Sequence, residues 1–156
     1  MMDIPAAVRE ALELQVLEQQ PEPAATVLGS AVSDHGAVAV ATALLDAASI
    51  ALRRMVEATD SAYDLAELLS RLALDGAVPE HRLELLTEIL TAAAATAGGI
   101  RPPVDALHAR LGEQDLLFGA WLGVLTALRV ASLAMEITET ELLEDVLLVI
   151  DLEVPD

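Results

Sequence analysis

The chain has 156 residues, a formal net charge of −18 and no cysteine. That length fits one domain with a substantial core, and the missing thiols exclude disulfides, thiolate metal sites and cysteine nucleophiles. Eight basic residues stand against 26 acidic ones, so nucleic acid and membrane surfaces are excluded as partners and a basic protein partner is expected instead.

The composition favours helix. Alanine and leucine occur 29 times each, lysine and asparagine are absent, and aromatics make up 2%. Such a set of strong helix formers predicts an all-α fold. Hydrophobic residues reach 54% before glycine is added, above the roughly 45–50% usual for soluble domains with glycine included. Charged residues, at 22%, are near normal, so the scarce class is uncharged polar. The surplus apolar surface reads as a subunit interface, which predicts a homo-oligomer, a dimer being the simplest closed form. The start, MMDIPAAVREALELQ, places an acid where a cationic leader would begin, and no apolar run follows. The cytoplasm is the expected location.

Helical periodicity with clear punctuation then runs along the chain. A first helix opens in DIPAAVREALELQVLEQQ with Asp3 as cap, and PEP at 21–23 is expected to stop it. A short helix follows in AATVLGSAVS, then a long apolar segment over 35–58 and a fourth helix in TDSAYDLAELLSRLALDG. After Gly76 the order restarts. VPEHRLELLTEILTAAAATAGG has proline near its start and a Gly-Gly stop, RPPVDALHARLG is short, and EQDLLFGAWLGVLTALRVASLAME is the second long apolar segment. In TETELLEDVLLVID, Thr138 and Glu141 stand at capping-box spacing. The β-branched end, 146–154, is read as the continuation of that helix rather than as a lone strand.

The predicted architecture is therefore a single all-α domain over 1–156, a bundle of about eight helices. It divides into two internally repeated four-helix halves, 3–76 and 77–150, with the two long apolar helices central. GA…AASIAL (36–52) aligns without a gap on GA…VASLAM (119–135), 83 residues on.

The long segments do not read as membrane spans. The run from Gly36 to Leu52 falls short of the roughly 20 residues a span needs, is mostly alanine and carries Asp46 near its middle. The second run is long enough but holds Arg129 centrally, and a central charge costs about 2.5–3.5 kcal/mol on insertion scales. Laid on a helix, His35, Thr42, Asp46, Ser49 and Arg53 form one narrow polar stripe. Thr126, Arg129, Ser132 and Glu136 form another. Asp46 and Arg129 lie 83 residues apart, as do Arg53 and Glu136, so parallel packing in register would oppose unlike charges. An Asp46–Arg129 contact is the expectation, with both stripes facing water as the alternative.

The catalytic search is negative. No phosphate loop, H-E-x-x-H or nucleophile elbow occurs. Asp105 and His108 stand one turn apart, but no Glu-x-x-His pair accompanies them, so neither a metal site nor a cofactor is expected. His35, His81 and His108 read as surface residues. The acid groups at Glu84/Glu88, Asp60/Asp64/Glu67 and Glu139/Glu141/Glu144/Asp145 read as solvated faces. Tyr63, Phe118 and Trp121 are the aromatics, read as core or interface.

The candidate ligand- or partner-binding residues are Asp46, Arg129, Trp121, Arg53 and Glu136. The expected function is that of a non-enzymatic, acidic interaction protein that self-associates and binds a basic partner. A small apolar-ligand-binding bundle or minor enzyme, with its pocket between the halves, is the alternative. An acidic inhibitor mimicking nucleic acid is a third.

Overall fold

The computed structural model describes residues 3–59, 88–89, 91–93 and 104–153. Every regular element among them is helical, and none is a strand. The α-helices are α1 (Ile4–Leu12), α2 (Pro21–His35), α3 (Ala37–Thr59), α4 (Val104–Leu111), α5 (Glu113–Met135) and α6 (Glu139–Glu153). A π-helical turn, Glu13–Leu17, follows α1. Residues 88–89 and 91–93 are also helical. The expected helices in 59–76 and 78–99, with Tyr63, His81, Asp60, Asp64, Glu67 and Glu84, lie almost wholly outside the described residues.

Helix α1 starts as its sequence requires. The Asp3 carboxylate accepts from the Ala6 N–H at 2.9 Å, and Pro5 sits in the first turn, where no N–H is needed. Ala7, Val8, Ala11 and Leu12 are buried on one face, while Arg9 and Glu13 pair at 3.1 Å on the outer one. The end of α1 differs from the expected proline stop. The helix widens at Glu13, and the Glu18 N–H reaches back five residues to the Glu13 carbonyl at 3.2 Å. Gln19 then takes a left-handed conformation at φ 55°, which breaks the helix before the prolines. Pro21 instead opens α2, where its fixed φ suits a first helical position. For this reason α2 has 15 residues rather than the short stretch that starting after Pro23 would leave.

Single glycines form two of the corners. Gly36, at φ 94°, donates to the Val32 carbonyl at 2.8 Å, and its own carbonyl accepts from Val40 at 3.3 Å. Gly112, at φ 87°, donates to the His108 carbonyl at 2.9 Å and accepts from Leu116 at 3.0 Å. Each residue therefore closes one helix and opens the next. After each corner comes a helix of 23 residues, α3 or α5.

These two long helices form the most extensive helix pair among the described residues. Helix α3 also touches α1, α2, α4 and α6, which makes it the innermost rod. Its buried residues include Val40, Ala41, Leu44, Ala48, Ala51 and Leu52. Helix α5 buries Leu116, Ala120, Val124, Ala127, Leu128 and Ala131. Gly123 lets α5 approach Ile89, one of the helical residues 88–89 and 91–93: a Cβ there would stand 2.6 Å from Cγ2 of fully buried Ile89.

Helix α5 ends on Glu136 in the left-handed region, φ 58°. The Ile137 N–H bonds the Ser132 carbonyl at 3.0 Å and the Glu136 N–H bonds Leu133 at 3.3 Å, a Schellman-type finish with glutamate where glycine is usual. Helix α6 opens on the expected capping box: Glu141 N–H donates to Thr138 Oγ1 at 3.1 Å, and the Glu141 carboxylate accepts from the Thr138 hydroxyl at 3.2 Å. Leu142, Leu143, Val146 and Leu147 of α6 seal one side of the core. The helix runs on to Glu153, so 146–153 is not a strand.

Candidate interaction face

The two polar stripes meet water on only part of their width. On α3, Ser49 is buried and donates to the Asp46 carbonyl at 2.7 Å, while Thr42 donates to Val38 at 2.7 Å. Asp46 is half-buried and Arg53 exposed. On α5, Ser132 is buried and donates to the Arg129 carbonyl at 2.8 Å, and Thr126 is also buried. Arg129 and Glu136 are exposed. The Thr42, Ser49 and Ser132 hydroxyls turn back onto their own helix, satisfied locally, and the charged groups lie on the outer edge.

That arrangement corrects the expected buried pairing. Among the described residues the ion pairs include Arg9–Glu13, Arg54–Glu57 and Arg110–Glu88, and none joins Asp46 to Arg129 or Arg53 to Glu136. The reason is solvation. Arg129, Arg53 and Glu136 are exposed on their helices, and long charged side chains keep their heads in water while the apolar positions of α3 and α5 fill the core.

Trp121 is half-buried and packs against the core cluster. It is one turn from Phe118, which stays 47% exposed. Phe118 belongs to an arc that continues through Leu122, Leu125, Arg129 and Leu133 at helical spacing. Leu133 is 62% exposed, and Leu122 and Leu125 are half-buried. The result is an apolar outer face on α5 with one arginine in it. Asp115, exposed at the start of the same helix, bounds it. The segment from Leu116 to Met135 contains no carboxylate, the longest acid-free run in a strongly acidic chain. Reasoning from motifs singled out Arg129 and Trp121 but missed Leu122, Leu125, Leu133 and Asp115. The acid-free run was the available signal.

Helix α5 is also long and apolar enough to cross a membrane by length and composition, although most of its apolar window is buried against other helices. A second feature lies along α1 and the turn that follows it. Ala6, Arg9, Glu10, Glu13, Leu14, Leu17 and Glu18 line an open trough of about 630 Å³ beside the π-helical turn. Its lining mixes apolar Ala6, Leu14 and Leu17 with Glu10, Glu13, Glu18 and Arg9.

His35 and His108 are half-buried, and Glu141, Glu144 and Asp145 are exposed along α6. Among the described residues no three His, Asp or Glu side chains gather as metal ligands. Known protein families, curated proteins and solved structures offer no match to the chain.

Proposed function

We propose that this is an acidic helical interaction protein that self-associates through the outer face of α5 and presents acidic helix surfaces to a basic protein partner. The observation that carries the reading is the exposure of Phe118 and Leu133 on one arc of α5, at 47% and 62%. Large apolar side chains on a contiguous face are what protein interfaces are made from. The trough that Leu14 and Leu17 share with Glu10, Glu13, Glu18 and the Glu13-paired Arg9 carries a net negative lining, which suits a partner with cationic side chains beside an apolar one.

The same reading includes an architecture of about eight helices in two four-helix halves, 3–76 and 77–150. Support comes from the 83-residue register of the sequence, which sets Ser49 against Ser132. Ser49 and Ser132 add to it, each bonding the carbonyl three residues upstream. The location proposed is the cytoplasm.

Light scattering on purified protein tests self-association, with a dimer expected and a concentration-independent monomer mass rejecting it. Titration with an oligolysine peptide tests the second part. Binding should weaken steeply with salt, because exposed charges more than about 10 Å apart are screened at 0.1 M ionic strength. Salt-independent binding, or none, would reject it.

A further inference from the structure

The outer face of α5 has a symmetry of its own. Leu122 stands midway between Asp115 and Arg129, seven residues from each. Seven residues are two helical turns less about 20°, so all three share one side of the rod. Asp115 and Arg129 are exposed with opposite charges. Between them lie Phe118, four residues before the midpoint, and Leu125, three residues after it.

A two-fold axis through Leu122 and perpendicular to α5 would lay a second copy antiparallel on this face. In an isologous contact, if residue i meets residue j then j meets i. Asp115 then faces Arg129 of the partner subunit, and Arg129 faces the partner's Asp115. Phe118 falls beside the partner's Leu125, and Leu122 meets its own copy. A parallel arrangement would instead set like charges against each other. Electrostatics point to the same face. With a net charge of −18, two copies repel wherever their acidic surfaces meet, and Leu116–Met135 is the stretch without a carboxylate.

From this juxtaposition we infer that the self-association partner is a second copy of this chain, seated antiparallel on α5 with Leu122 at the two-fold axis and reciprocal Asp115–Arg129 pairs at either end. The inference rests on the self-association reading above and adds the surface and the register.

The chain has no cysteine, so single-cysteine variants report cleanly. Under mild oxidation Leu122→Cys should form a disulfide dimer. Leu148→Cys, on the exposed side of α6, should not. In light scattering or sedimentation, Asp115→Arg and Arg129→Glu should each weaken the dimer by about tenfold, since each places like charges opposite one another twice. The double variant should recover most of that loss, which a folding defect would not do.

A monomeric wild type would overturn both this inference and the reading beneath it. A stable dimer in which both charge variants bind normally, or in which position 148 cross-links and 122 does not, would overturn the inference alone. Flotation of the protein with phosphatidylcholine vesicles would mean that lipid, not a second copy, covers α5, and would overturn it as well.

Discussion

Gly36 and Gly112 make the same corner in two places. Each bonds four residues back with its N–H and four residues forward with its carbonyl, at φ 94° and φ 87°. Their ψ values, 155° and 166°, place both in a region that only glycine occupies at ease.

Space is open around both glycines, with no atom within 4 Å of an added Cβ. Replacing either by alanine is therefore a test of backbone conformation alone. Gly36→Ala and Gly112→Ala should each lower unfolding free energy by about 1–3 kcal/mol. Gly29, equally uncrowded but inside α2, should respond in the opposite sense, gaining about 0.5–1 kcal/mol as alanine. Urea unfolding of the three variants decides it.

Gly123 poses a different problem. Its missing side chain makes room for Cγ2 of Ile89, 2.6 Å from where a Cβ would sit. That methyl is on a β-branched side chain and cannot swing away freely. Gly123→Ala should cost about 1–3 kcal/mol from overpacking. Combined with Ile89→Ala, the total loss should fall short of the sum of the single losses by more than about 0.5 kcal/mol. Additive losses in a double-mutant cycle would remove the contact.

At the start of α6, the Thr138 hydroxyl accepts from Glu141 N–H and donates to its carboxylate. Thr138→Ala should cost about 0.5–2 kcal/mol, whereas Thr138→Ser keeps the oxygen and most of the stability. Amide hydrogen exchange at Glu141 should rise in the alanine variant and stay low in the serine one.

Glu136 ends α5 with a left-handed backbone, φ 58°. For a residue with a Cβ that conformation costs about 1 kcal/mol, so Glu136→Gly should raise the melting temperature. A drop would show that the carboxylate contributes more in place than the backbone loses.

The features readable from residue types were the local ones. The Asp3 cap and the Thr138–Glu141 box depend on side chains within one turn of the groups they serve, so spacing alone revealed them. Gly112 marked a helix end for the same reason, whereas Gly36 was read inside the long segment 35–58; it makes a corner there, and His35 belongs to α2 and not to the stripe on α3. The π-helical turn was not readable, because Glu13–Leu17 has ordinary helix formers and its widening reflects where the chain must next go. The role of Pro21 followed from that: once Gln19 has broken α1, the proline starts a helix instead of ending one. The polar stripes were found, but which edge met water was not. That depends on how α3 and α5 pack, a property of the pair and not of either helix. Phe118 was read as core or interface from its neighbours, and only the packed bundle shows how much of its ring stays outside.

The most extensive helix seam among the described residues, α3 against α5, joins two rods whose buried residues include Ala41, Ala48 and Ala51 on one and Ala120, Ala127 and Ala131 on the other. Residues this small have no rotamers to freeze, so assembling the seam costs almost no side-chain entropy. They also hide little area each, so most of the hydrophobic gain of these helices must come from their buried leucines, among them Leu44, Leu52, Leu116 and Leu128. Substitution should therefore be tolerated very unevenly. A buried leucine can be exchanged for another residue of similar bulk, whereas at Gly123 even a single added methyl group meets Ile89.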